Sequence, residues 1–165
     1  MGDSGSPPES TPQQRAGLET RLADRDRTLA AMHALEEALA EPAPGREGPW
    51  QDKVLGALAV LDEATAEENE NAEQPDSLLS DIKRFQPRLR SQVRGVRVQY
   101  RHLRDRIVAL CEELQDPDVD TPADYADIRQ RLAWLLTALR HQQARESDLI
   151  YEAYYDVFGV ELGSD

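Results

Sequence analysis

The sequence predicts an all-α fold: an antiparallel, up-down-up-down four-helix bundle with a short extra helix between the second and third long helices. Three observations carry that expectation. Ala, Leu, Glu and Arg dominate while aromatic residues make up 5% of the chain, a composition of long helices rather than of sheets. Apolar residues recur at three- and four-residue spacing through four long stretches. Short proline-containing breaks separate those stretches, and short connections between long helices make neighbours antiparallel. At 165 residues the chain suits one domain.

Residues 1–10 are rich in Ser, Pro and Gly and are expected to form a disordered tail, with the bundle covering 11–160 and a flexible end at 161–165. Thr11-Pro12-Gln13-Gln14 supplies a hydroxyl for the N-cap, proline at the first helical position and glutamine at the third, as a capping box requires. The first helix should then run to about Ala40. Its buried stripe is read as Leu18, Leu22, Leu29, Met32 and Leu39. Arg25 and Glu36 fall within roughly 20° of the stripe centre, and His33 lies on its shoulder. Pro42-Ala43-Pro44-Gly45 stops this helix and Gly48-Pro49 starts the next, over about 49–73. Trp50, Val54, Ala57, Leu58, Leu61 and Thr65 make the second stripe, with Glu68 on the same line. The acidic run at the end of this helix is unfavourable beside the negative pole unless cations lie opposite.

A short helix is expected after Pro75, burying Leu78, Leu79, Ile82 and Phe85, until Pro87 interrupts it. The third long helix has the cleanest stripe: Leu89, Val93, Val96, Tyr100, Leu103, Ile107, Leu110, Cys111 and Leu114. Asp116-Pro117-Asp118 should end it. Thr121-Pro122 repeats the entry used at the first helix, so the fourth helix is expected over about 122–157. Ile128, Leu132, Leu135, Leu139, Leu149, Ile150 and Ala153 face inward there, with Gln142 and Glu146 among them.

Every long stripe is thus broken by a polar residue in its middle. An unpaired buried charge costs several kcal/mol, so such residues are kept where they satisfy one another or hold something. At about 1.5 Å per residue, Arg25, Glu68, Tyr100, Gln142 and Glu146 fall roughly 20 to 37 Å below one end of the bundle. These five are expected to form a polar core, with the Arg25 guanidinium between the Glu68 and Glu146 carboxylates and the Tyr100 phenol and Gln142 carboxamide completing the hydrogen bonds.

The net charge of -13 opposes binding to nucleic acid or anionic lipid, and no basic region followed by an apolar run opens the chain, so neither a nucleic-acid nor a membrane partner is expected. A cytoplasmic location fits these features and the single cysteine, Cys111, which is read as packing. Arg88, Arg90, Arg94, Arg97, Arg101, Arg104 and Arg106 are read as an ion-pair network with the acidic second helix. His102 and His141 project roughly 140° from their stripe centres and belong to the surface. Tyr151, Tyr154, Tyr155 and Phe158 read as an aromatic plug at the open end, or as a surface for self-association. The chain shows no grouping of nucleophile, base and orienting residue, no phosphate loop and no CxxC pair, so hydrolase, kinase and zinc-finger chemistry lack residues to carry them.

The proline-containing first turn, the acidic end of the second helix followed by Pro75-Asp76-Ser77-Leu78-Leu79, and the closing segment RESDLIYEAYYDVFG resemble the hemerythrin-like, or HHE cation-binding, group of four-helix bundles, particularly its degenerate bacterial members. The resemblance covers about residues 12–160. It implies a bundle that holds two irons between helices by histidines and carboxylates. At the positions where that group places metal-binding histidines this chain has Glu68, Tyr100 and Gln142. Two functional readings follow. The first is a bundle without a metal cofactor, acting as a non-enzymatic binding or structural module for a small molecule or a protein. The alternative is a di-iron carboxylate protein using His33, Glu36, Glu68 and Glu146, working in oxygen or peroxide sensing or as an oxidase.

Overall fold

The computed structural model describes residues 10–115 and 124–162, with side chains placed as far as residue 155. Within them the chain forms α1 (Pro12–Ala40), α2 (Glu47–Glu73), α3 (Leu78–Phe85), a 3-10 turn (Pro87–Leu89), α4 (Arg90–Gln115) and α5 (Tyr125–Leu162), and no strand. The fold is an all-α four-helix bundle with α3 as the extra short helix. Among the described residues no helix is long and apolar enough to cross a membrane. The expected tail, the Asp116-Pro117-Asp118 stop and the Thr121-Pro122 entry lie outside the described residues.

Local chemistry explains the helix ends. The Thr11 hydroxyl accepts from the Gln14 amide at 3.1 Å, and the Gln14 side chain accepts from the Thr11 amide at 2.9 Å, so both arms of the capping box close. Between α1 and α2 the chain turns through Gly45 at φ 78°, a backbone angle that residues with a Cβ rarely adopt. Two boundaries differ from the sequence expectation. α2 starts at Glu47 rather than 49, because Pro49 sits within the first turn, where its missing N–H would have had no acceptor. α5 starts at Tyr125 rather than 122: Asp124 caps it, accepting from the Asp127 amide at 3.1 Å. It also continues through Gly159 to Leu162, past the expected stop near 157 and into the segment expected to be a flexible end; one glycine costs a helix only about 1 kcal/mol.

Cross-helix contacts set the register. Thr28 meets Glu68 while Asp24 meets Asn71, so α1 and α2 are antiparallel. Arg104 meets Asp62 while Arg97 reaches the Ala72 carbonyl, which makes α2 and α4 antiparallel. Arg131 meets Glu113 while Gln142 meets Val96, pairing α4 with α5 in the same sense. Arg21 meets Glu146, Glu36 meets Arg140, and Glu41 accepts from Arg129, which closes the ring between α1 and α5. The acidic end of α2 does face cations: Arg27 pairs with Glu67, Arg101 with Glu73 and Arg104 with Asp62.

The apolar core has two parts. One end is built on Met32, Leu35, Leu58, Leu61, Ile107, Leu132 and Leu135; the other on Leu18, Leu79, Ile82, Leu89, Val96, Leu149 and Ile150, with α3 lying across it. Each large aliphatic side chain fully buried there contributes about 1.5 to 3 kcal/mol. The stripes of α2, α4 and α5 match their sequence reading, but that of α1 is rotated. Its buried face runs Leu18, Arg21, Asp24, Thr28, Ala31, Met32, Leu35, Ala38 and Leu39, while Leu22 is exposed. Phe85 is another departure: it is 68% exposed, with the Arg84 guanidinium 5.6 Å from its ring centre, because α3 ends there and the 3-10 turn delivers Leu89 to the core instead.

Candidate functional site

The two halves of the apolar core are parted by a layer of polar side chains, one or more from each long helix. α2 and α5 contribute Glu68 and Glu146, only 2% and 3% exposed. α4 contributes Tyr100, and α1 contributes Arg21 and Thr28. Helical spacing places them: Glu68 continues the line Leu58, Leu61, Thr65 at steps of three and four, and Arg21 and Thr28 stand fourteen and seven residues before Leu35 on the buried face of α1.

Arg21 lies between the carboxylates. Its Nε is 2.8 Å from Glu146 Oε1 and its Nη1 is 3.5 Å from Glu68 Oε1. The sequence reading gave this position to Arg25, which is a correction. Arg25 sits one turn on and only half buried, walling a second cleft of about 180 Å³ beside Leu22 and Tyr151. Both arginines occupy the inward spacing of α1, and the rotation of the helix decides which one reaches the axis.

Glu68 is held on one side only. Its Oε2 accepts from the Thr28 hydroxyl at 2.5 Å and from the Tyr100 phenol at 3.0 Å. Burial first, and then the Glu68 charge, push the Tyr100 phenol far above its ordinary range, so it acts as a neutral donor. Gln142 donates to the Val96 carbonyl at 2.9 Å. The other oxygens fare less well. Glu68 Oε1 and Glu146 Oε1 complete no aligned hydrogen bond, nor do Arg21 Nε and Nη1, although the charges are in contact. Two buried carboxylates therefore share one guanidinium. Burial raises the Glu146 pKa against the opposing pull of Arg21, with Glu68 adding to the rise. Burial alone would lower the Arg21 pKa, but the charges of Glu146 and Glu68 outweigh it and hold the guanidinium above its ordinary value.

A cleft of about 310 Å³ opens against this layer, between α1, the end of α2, α3 and α5. Arg21, Glu68 and Glu146 form its floor together with Asp24; Leu78 and Ile150 are among its apolar walls. Asp24, buried on α1, accepts from the Asn71 side chain at 3.0 Å and from Arg27 at 3.3 Å. Sequence reasoning missed Arg21, Thr28 and Asp24. The signal for the first two was strict three-four spacing from Leu18 through Leu39, which a stripe drawn through leucines alone obscured.

The alternative metal set does not assemble. His33 and Glu36 lie toward the surface, 3.5 Å from one another, and Glu36 pairs with Arg140. Neither pairs with Glu68 or Glu146, and among the described residues no three His, Cys, Asp or Glu side chains form a group that could hold a metal ion. Two glutamates, a phenol and a carboxamide without an imidazole, with a guanidinium touching both carboxylates, do not fit a di-iron centre. The tyrosine cluster is split as well. Tyr154 is buried, its hydroxyl meeting Asp81, whereas Tyr151 and Tyr155 are exposed and meet edge to face at 5.1 Å between ring centres; the Phe158 side chain lies outside the described residues.

Fold and site together define a four-helix bundle whose core is divided by an ionic layer open to a cleft. Comparison with protein family models, with curated proteins and with solved structures finds no match.

Proposed function

We propose that the protein is a non-enzymatic binding module, a metal-free bundle of hemerythrin-like plan that takes a small molecule into the cleft beside Arg21, Glu68 and Glu146 and works in the cytoplasm. The observation that carries this reading is the cleft of about 310 Å³ whose floor is the buried ionic layer of Arg21, Glu68 and Glu146, with Asp24 beside it. Small-molecule sites are concave, with mostly apolar walls and a few convergent polar groups, and this cleft has that form. Arg21 supports the metal-free part, since a guanidinium in contact with both carboxylates occupies the charge position a cation would take.

The test is a thermal-shift panel of small cations, neutral polar molecules and anions, run on the parent and on Ala16→Trp. Ala16 is an exposed wall residue, so a bulky side chain there closes the cleft without entering the core. Compounds that raise the parent Tm and lose that effect in Ala16→Trp support the reading; a panel in which none does so overturns it. Metal analysis of protein from iron-supplemented cells tests the other half: about two irons per chain would restore the di-iron alternative.

A further inference from the structure

We infer that the molecule taken by this cleft is a small organic cation, a short-chain primary amine or diamine, whose ammonium group lies against Glu68 and Glu146. The inference rests on the binding reading above and names the chemical class of its ligand.

Charge is the first argument. The buried floor carries Glu68 and Glu146 against Arg21, and Asp24 adds a third carboxylate one turn along α1. Arg27 is the cation that meets Asp24, and it divides itself between Asp24 and Glu67 on the outer side. The lining of the cleft sets Arg21 against Asp24, Glu68, Asp76 and Glu146, with Arg25 acting on Glu146 from outside it, and is thus deficient in positive charge. A ligand ammonium supplies the missing positive charge, and its three N–H donors suit a floor lined by carboxylates.

The walls give the second argument. Gly17, Ala72, Leu78, Leu79 and Ile150 line the cleft above the acidic floor, a surface for methylene groups. At roughly 30 Å³ per water in the liquid, the cleft holds about ten water-sized groups, which limits the occupant to a short chain. An anion would meet carboxylates at the floor, and a neutral molecule would leave the charge deficiency in place. A divalent metal ion would need several more oxygen ligands to replace its water, with a guanidinium already touching the carboxylates.

Isothermal titration of the full chain in about 150 mM salt, which screens non-specific attraction to the acidic surface, tests this. The probe is 1,4-diaminobutane; 1,4-butanediol and succinate are its neutral and anionic counterparts, and magnesium chloride stands for a bare cation. One diamine bound per chain is expected, weakened tenfold or more in Glu146→Gln and in Ala16→Trp, each checked for native helicity. Ala16→Trp preserves every charge, so it reports on the cleft even where Glu146→Gln perturbs folding. Diamine binding unchanged in both variants would assign it to the surface and overturn the inference. Binding of butanediol, succinate or magnesium in place of the diamine, abolished by Ala16→Trp, would overturn the amine assignment while leaving the binding module intact. Silence of all four probes overturns the amine assignment too, and the wider panel then decides the binding reading separately.

Discussion

Removing the Arg21 side chain's charge is the sharpest perturbation of this core. Arg21→Met keeps most of the aliphatic volume and removes the cation in contact with Glu68 and Glu146. Breaking a buried pair by deleting one partner costs about 3 to 5 kcal/mol. Proton uptake limits the loss: at pH 7, neutralising a carboxyl of ordinary pKa near 4.3 costs roughly 3.7 kcal/mol at about 1.36 kcal/mol per unit. Both routes give a similar figure, and it is a large part of the roughly 5 to 15 kcal/mol that holds a domain together. Urea titration followed by circular dichroism reads it directly. Arg25→Ala is the control, expected to cost less than Arg21→Met because that side chain is half buried and acts on Glu146 only at longer range. The Arg21→Met deficit should also shrink toward pH 4, where both states hold their protons. A variant within about 0.5 kcal/mol of the parent, or an Arg25→Ala that costs more than Arg21→Met, refutes the assignment of Arg21 as the internal counter-ion.

Other outcomes follow from the same geometry. The Glu146 pKa is raised on folding, so between the unfolded and folded values the native state holds a proton that the unfolded chain has lost. Its contribution is fully present below about pH 4.3 and declines as pH rises through the folded value. Glu146 is faced by Arg21 and Arg25 from α1, Glu68 from α2 and Tyr100 from α4, so the difference between parent and Glu146→Gln stability curves isolates it; parallel curves from pH 4 to 8 would contradict the shift. Tyr100→Phe deletes a donor to a buried carboxylate and should cost about 1.5 to 3 kcal/mol, with a double-mutant cycle against Glu68→Gln showing coupling rather than additivity. Thr11→Ala opens the capping box and should lower stability by about 1 kcal/mol, measured by thermal melting.

How much was legible in advance varies by element. The α4 stripe was read residue for residue, because β-branched and long aliphatic side chains repeat there without ambiguity and all nine positions from Leu89 to Leu114 are buried. On α1 the leucines mislead. Alanine and threonine take part in its buried face, and Leu22 lies outside it, so the hydrophobic signal pointed about one residue away from the true axis. Glu68, Tyr100, Gln142 and Glu146 each interrupt an otherwise clean line, whereas Arg21 lies off the line drawn through the α1 leucines. Asp24 shares the three-four spacing of Arg21 and Thr28, but neither it nor its partner Asn71 interrupts an apolar line, so neither stands out in the sequence.

Periodicity, proline placement and capping residues determined that this chain is helical, roughly where its helices begin and end, and that charge must enter its core. Those are properties of one helix at a time, written in local spacing. Which arginine answers the two buried glutamates, and that a cleft opens against their layer, depended on the rotation and depth of α1 against α2 and α5. A turn of helix moves a guanidinium by about 5.4 Å, farther than an ion pair reaches, and only the packed assembly decides between two such positions.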